Sequence, residues 1–419
     1  MTTSITPKNR INPFLADGLF LSLNEEMQLF IEEISNHHRL TYQQTRQTID
    51  MAIDFSMWDE EYKEIWIESG VGISGKKVFQ NVRNAWHSLK QNATEYQGQI
   101  KRPKGEIRKV ASHSDQNEIL GMCPVASEKT VCCNLMTVDA AQGCGLGCSY
   151  CSIQTFYEDG AILVDSNLRE KLDSIQLDVS KNYHIGSGQS SDSLAVGNKN
   201  GIIDAQLDFA RKNPNIIFEF KTKTKNISSL LDVDVPGNVF VCWSLNPDEI
   251  IDHEEHGTAR LNQRISSARL LADKGIIVGF HFHPLFYYQG WEKGYKGIVD
   301  IILSTFLPEE IGMISFGTLT YIKPAIKRMR VAGFKSKALQ MPLVEAAGKY
   351  SYPMEIKEKI FGKVFSYFAS WHEHVFFYFC MEDKQLWKSV FGSYYKSNDL
   401  FEDALFRSVK NKMIHRRIV

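Results

Sequence analysis

Three cysteines in a short glycine-rich stretch are the residues of this chain best suited to chemistry. The segment GCGLGCSYC places Cys144, Cys148 and Cys151 in C-x3-C-x2-C spacing. Three thiolates are one fewer than the four that close a structural zinc or a conventional cluster site, so a metal centre held by them keeps one position open for an external ligand. Gly143, Gly145 and Gly147 let the backbone wrap closely around a bulky group. The alternative is a closed zinc site completed by Cys123, Cys132 or a histidine. The adjacent Cys132 and Cys133, placed inside a strand, and the isolated Cys242 and Cys380 read as small buried hydrophobes.

The loop has to be carried by elements around it. From about Val131 the pattern is one of short apolar runs separated by helix-length amphipathic segments, which signals repeated strand-helix units and a parallel sheet. The runs are VCCNLMTVD, YHIGSG, IIFEFKT, NVFVCWSLN, GIIVGFHFHP, GMISFGTLTY and HVFFYFCM, and the cysteine loop follows the first of them. Such alternation predicts an α/β fold that closes into a full or partial barrel, with chemistry at the C-terminal strand ends. Along GFHFHP, His281 and His283 fall on one face of the strand, directed to the barrel interior. A buried histidine bonded to backbone is the competing reading for each.

Upstream, residues from about Asn24 to Gln91 show helical periodicity, as in EEMQLFIEEI and QTRQTIDMAIDF, and predict a helical N-terminal domain over 1–91. The polar stretch 92–129, with KRPKGEIRK, reads as a connecting segment. The barrel is expected over 130–395, and 396–419 as a basic C-terminal tail. GVGISGKK resembles a phosphate loop, but it follows a helical stretch and Lys77 replaces the hydroxyl that would hold magnesium, so it is read as a loop.

The 48 Lys and Arg nearly cancel the 49 Asp and Glu, so no global positive field advertises nucleic acid. Local strips remain in KRPKGEIRK, in Lys323 to Lys337 and in Lys410 to Arg417, and phosphate binding needs only such a strip. No stretch reaches the roughly 18 apolar residues of a membrane span. Eight cysteines without a secretion signal point to metal or redox chemistry in a cytosolic protein.

The C-x3-C-x2-C loop after the first strand of a partial barrel resembles the radical S-adenosylmethionine superfamily, and within it the spore photoproduct lyase family, across roughly Val131 to Gly392. CSYCSIQT looks like that family's cluster loop, HGTARLNQRISSARLLADKG like its fourth-unit signature, and HPLFYYQGWEKGY and FCMEDKQLWKSVFG like later segments.

The resemblance implies a partial (β/α)6-type radical SAM barrel. It further implies a 4Fe-4S cluster on Cys144, Cys148 and Cys151, whose open iron binds S-adenosylmethionine (SAM). Family contacts to the cofactor fall on Tyr150, which also takes the catalytic position, and on Ser191, Lys223, Ser244 and His283. The activity implied is reductive cleavage of SAM to a 5'-deoxyadenosyl radical by a lyase that repairs a thymine lesion in DNA. The electron would come from a reductant such as flavodoxin or ferredoxin. Tyr287, Tyr288 and Trp291 are then candidates to receive a base taken out of the stack.

Two positions depart from the family pattern. Its hydrogen-donating cysteine is Gln189 here, and its second tyrosine is Ser152, so a cysteine-tyrosine-tyrosine relay would keep only Tyr150. These departures open one alternative, a radical SAM enzyme acting on a peptide or small metabolite; a reading of a different class is a non-enzymatic DNA-binding protein with a structural metal.

Overall fold

The computed structural model describes residues 9–70, 75–96, 109–115, 117–123, 130–152, 161–188, 191–346 and 348–416. In chain order its strands are β1 (Lys109–His113), β2 (Leu120–Met122), β3 (Met136–Val138), β4 (Ala141–Gln142), β5 (Ala161–Asp165), β6 (Tyr183–Ser187), β7 (Ile216–Thr222), β8 (Val239–Ser244), β9 (Ile277–Leu285), β10 (Ile311–Thr318), β11 (Thr320–Ile322), β12 (Val344–Ala346), β13 (Lys349–Ser351) and β14 (Phe376–Phe379). Compactness divides the chain into two units: Met1–Tyr96 with Thr320–Tyr352, and Gln97–Leu319 with Pro353–Val419.

The larger unit is built on an eight-stranded sheet of order β14-β10-β9-β8-β7-β6-β3-β2. All seven strands from β3 to β14 run parallel to their neighbours, and β2 pairs antiparallel with β3 at the edge. Each of the seven apolar runs in the sequence supplies one parallel strand. The runs are continuous because a parallel sheet is covered on both faces. Outward-facing Phe218 meets Phe209 of the helix Ile202–Lys212, and Phe282 meets Tyr295 of the helix Trp291–Thr305. The alternate residues Glu219, Lys221, Ser244, His281 and His283 face inward and line a cavity.

Two expectations change here. The segment read as a connector supplies β1, paired parallel with β5, and β2. These strands are short and largely exposed, so backbone pairing defines them and no apolar alternation announces them. Of the segment expected as a tail, residues 398–416 form a helix. The helix Asn398–Arg416 buries Phe401, Leu405, Val409 and Met413 across β6, β7, β10 and β14. Its Lys412 donates to the carbonyls of Pro308 and Ile311, at 2.6 and 2.5 Å, so part of the basic run is spent inside the unit.

The smaller unit joins helices from the first 96 residues to an insertion after β10 that carries β11, β13 and β12, in that order, and the helix Lys323–Ala332. Thr41 and Gln44 form a capping box that starts the helix Tyr42–Trp58, whose Ile49, Ala52 and Phe55 are fully buried. Buried Asp54 accepts both Nε and Nη2 of Arg330 at 2.8 Å, and Nε1 of Trp86 at 3.0 Å. Lys335 bonds Asp59, and Lys337 bonds the Glu95 carbonyl. Three cations of the Lys323 to Lys337 run are therefore spent on bonds to the first 96 residues, Arg330 on buried Asp54 among them, and this ties the insertion to the N-terminal helices.

Candidate active site

The cysteine loop leaves β4 and turns at Gly143 and Gly147, at φ +80° and +60°, conformations that a side chain would strain. The Cys151 amide donates to the Cys148 carbonyl at 3.0 Å. A second segment clamps the loop. Cys148 bridges Glu255, the Ser149 amide donates to the Glu254 carbonyl at 2.9 Å, and the Gly257 amide donates to the Leu146 carbonyl at 2.7 Å. A Cβ at position 257 would stand 2.8 Å from that same carbonyl oxygen, so only glycine permits the approach. The HGTAR segment is thus the structural seat of the cysteine loop.

Behind the loop lies a fully buried carboxylate, Glu255. One oxygen accepts from the Tyr150 hydroxyl at 2.6 Å, the Lys223 ammonium at 2.8 Å and the Asn246 amide at 2.9 Å. The other accepts from Arg264, which is also buried and donates to the Ser244 carbonyl at 2.7 Å. Burial alone would raise the Glu255 pKa, but the charges of Arg264 and Lys223 hold it well below the usual carboxylate range. Tyr150 is pushed up by burial and by Glu255, and its ring stands 5.2 Å from that of Phe286. Lys223 also donates to the His283 carbonyl at 3.3 Å, leaving one of its three protons for an anion in the cavity.

Deeper in the barrel, Glu219 accepts from Nε2 of His184 at 2.9 Å and Nε2 of His281 at 2.5 Å. Ser315 links Nδ1 of His281 to Nε2 of His283, the latter at 3.0 Å. Burial, with Lys221 nearby, lowers His281 to about 4 and His283 well below the ordinary imidazole range, so both rings are neutral at pH 7. Burial would raise Glu219, but the two ring nitrogens keep it ionised. Glu219, Cys242 and His281 are, among the described residues, the group whose ligand atoms all lie within 4.8 Å of one another. The hydrogen bonds already engage the two oxygens and His281, so we read a hydrogen-bonded network there.

The cysteine loop, Lys223, Glu219, His281 and His283 line one cavity of about 310 Å3. Cys144, Cys148, Cys151, Tyr150, Ser191, Lys223, Ser244 and His283 each line it, although they come from five separate stretches of chain. Comparison with known proteins fits this geometry. The family model for spore photoproduct lyase matches residues 126–353, more than half of the chain. The chain belongs to the spore photoproduct lyase family.

Within that family, the spore photoproduct lyase of Clostridium acetobutylicum is 28% identical over 162 residues, covering 38% of this chain and 48% of that protein. The one from Bacillus subtilis is 26% identical over 176 residues, 41% of this chain and 51% of that protein. The chain therefore spans about half the length of these curated relatives. A solved spore photoproduct lyase complexed with dinucleoside spore photoproduct superposes with a TM-score of 0.56 at 20% identity, covering 64% of this chain and 82% of that one. A double mutant with bound AdoMet and dinucleoside spore photoproduct also gives 0.56, at 18% identity, over 72% of this chain and 94% of that one. These likenesses establish the spore photoproduct lyase fold.

Of the positions that depart from the family pattern, Ser152 is half-buried and Gln189 lies outside the described residues. Tyr288 and Trp291 are buried, and neither they nor Tyr287 line the cavity. Sequence reasoning missed Asp192, a buried cavity residue that accepts from the Lys223 amide at 2.6 Å and the Thr222 hydroxyl at 2.8 Å. It also missed Glu255, although it directly precedes the HGTAR motif. An acid beside a matched motif was the available signal.

Proposed function

We propose that this chain is a radical SAM enzyme in which Cys144, Cys148 and Cys151 hold a 4Fe-4S cluster and Ser191, Lys223, Ser244 and His283 hold S-adenosylmethionine. The observation that carries the reading is the convergence of all these side chains, with Tyr150, on one cavity at the strands' C-terminal ends. The donor set suits the cluster. Three thiols line the cavity, yet their sulfurs are not gathered within the 4.8 Å expected of ligands sharing one ion, which counts against a structural zinc. Burial and Asp192 push the Cys144 thiol up to about 12, so metal loading must release protons. When bound, cluster and SAM together supply a 5'-deoxyadenosyl radical by one-electron cleavage of the sulfonium bond.

The chain's own residues bind and orient. Lys223, fixed by Glu255, presents a proton to the methionine carboxylate, and such a charge-assisted bond is roughly twice as strong as a neutral one. Asp192 offers the complementary charge to the ammonium group, and the Ser191 and Ser244 hydroxyls complete the polar shell. His283, neutral and held by Ser315, flanks the adenosine. Tyr150 sits above Lys223, its ring centroid 5.7 Å from the ammonium, and shields it from water.

The substrate we favour is a thymine lesion in DNA, cleaved at its carbon-carbon bond after hydrogen abstraction. Electrons would come from flavodoxin or ferredoxin in a reducing cytosol. Among the described residues no helix is long and apolar enough to cross a membrane. Ser152 and Gln189 favour a second reading, in which the same radical acts on a peptide or small metabolite. Anaerobic reconstitution, dithionite reduction and chromatography for 5'-deoxyadenosine test the chemistry, with and without ultraviolet-irradiated DNA. Cleavage of SAM is expected, and a fully loaded cluster that never cleaves it overturns the reading. Cleavage that leaves the lesion intact moves the substrate to the second reading.

A further inference from the structure

A second group of cysteines faces the same cavity. Cys123, Cys132, Cys133 and Cys380 all line it, and none belongs to the C-x3-C-x2-C loop. They come from three stretches at the two free edges of the sheet: Cys123 follows β2, Cys132 and Cys133 precede β3, and Cys380 follows β14. One backbone bond joins the two edges, and two more fix the cysteine segments to their neighbouring strands. The Val131 amide donates to the Glu382 carbonyl at 3.2 Å, the Cys123 amide to the Leu135 carbonyl at 2.9 Å, and the Cys380 amide to the Phe316 carbonyl at 2.9 Å.

Adjacent residues of a strand face opposite ways, so a strand could not turn both Cys132 and Cys133 to the cavity. Contrary to the sequence reading, they are not in a strand, since β3 begins only at Met136. Asn134 is left-handed at φ +51°, and its amide is held by Asp399 and Glu402. That local conformation lets both thiols line the cavity wall. Cys123, on the neighbouring β2 side, and Cys380, after β14, line the same cavity as this pair.

A buried cysteine taken singly is a small hydrophobe. Four of them brought to one wall from three segments form a ligand set. A single tetrahedral ion with metal-sulfur bonds of about 2.3 Å needs its sulfurs closer together than 4.8 Å. No three of these sulfurs meet that condition among the described residues. Four thiolates around a multi-iron cluster are spread more widely. We infer that Cys123, Cys132, Cys133 and Cys380 hold a second iron-sulfur cluster, separate from the one assigned to Cys144, Cys148 and Cys151. Lys221 lines the same cavity and supplies positive charge beside Cys380. With four protein ligands this centre has no open coordination position, unlike the first.

The test is anaerobic reconstitution of the full chain with iron and sulfide, in wild type, in the variant C144A/C148A/C151A, and in the variant C123S/C132S/C133S/C380S. Two clusters predict about eight irons in wild type and about four in each variant. The reduced cluster left in the triple variant should give an electron paramagnetic resonance signal that SAM does not alter, while that of the quadruple variant responds to SAM. Iron absent from the triple variant overturns the inference. So does zinc on the quartet, or a Cys132 to Cys133 disulfide in protein purified without oxygen. If the triple variant fails to fold, the loading of wild type against the quadruple variant decides, twofold supporting the second site and equal loading overturning it. Failure of the proposed SAM site looks different, because the triple variant would then carry the full wild-type iron.

Discussion

Glu255 and Glu219 are buried carboxylates of the same barrel, kept ionised by different means. Glu255 is surrounded by formal cations, Lys223 and Arg264, in addition to the Tyr150 and Asn246 donors. Glu219 is held by two imidazole nitrogens, and the His281 ring is neutral. The first site is a charge knot that fixes the seat of the cysteine loop, and the second is a polar strut between strands. A charge knot is costly to cut, because each loss strands an opposite charge in a dry interior. A strut held chiefly by hydrogen bonds leaves mainly unsatisfied donors.

The largest effect should therefore separate Glu255→Gln from Glu219→Gln. Removing the Glu255 charge leaves buried Arg264 without its counter-ion and should cost about 3–5 kcal/mol in denaturant unfolding. Glu219→Gln keeps an acceptor, and an imidazole can exchange tautomers to meet the amide, so a loss of about 1–3 kcal/mol is expected. Equal losses in the two variants would dissolve the distinction.

Gly257→Ala probes the knot from the backbone side. Its Cβ would sit 2.8 Å from the Leu146 carbonyl oxygen and 3.1 Å from the carbonyl carbon, so the cysteine loop must move. The expected cost is about 1–3 kcal/mol, as for overpacking elsewhere, together with faster loss of iron from reconstituted protein. Unchanged stability and iron retention would mean that the loop yields freely.

The strut has a pH signature that the knot lacks. The folded pKa of His281, about 4, lies below its unfolded value near 6.5, so the unfolded chain binds more protons between those limits. Its contribution is complete above about pH 6.5 and is lost as pH falls toward 4. Glu255 and Glu219 have depressed pKa values, so their contributions are lost only at lower pH, as it falls below the ordinary glutamate range. His281→Gln should flatten the decline between pH 6.5 and 4 relative to wild type while leaving the fall below it. Parallel stability curves for the two proteins would refute this.

Much of this architecture could be read from the residues, for a physical reason. A parallel strand buried on both faces needs a continuous apolar run, so seven runs announced seven strands. The cysteine loop was visible because its spacing is local. What stayed hidden depends on distant pairing. Glu255 looks like a surface acid until Arg264 and Lys223 reach it from separate elements. Cys123, Cys132, Cys133 and Cys380 look like scattered hydrophobes until the sheet edges approach. Phe401, Leu405, Val409 and Met413 recur every four residues, but the basic residues between them drew the reading toward a tail.

The smallest effect tests whether the strut reaches the proposed cofactor wall at His283. Ser315 is the link between His281 and His283, and it faces His281 across the β9 and β10 register. Ser315→Ala removes a hydroxyl that serves both rings, yet His281 keeps its bond to Glu219. A loss of about 1 kcal/mol in global stability is therefore expected. If His283 flanks the adenosine as proposed, its freed ring should weaken SAM binding severalfold without altering iron content. A variant that loses stability but binds SAM as wild type does would confine the strut to a structural role and leave the Glu255 knot as the element that orders the cavity wall.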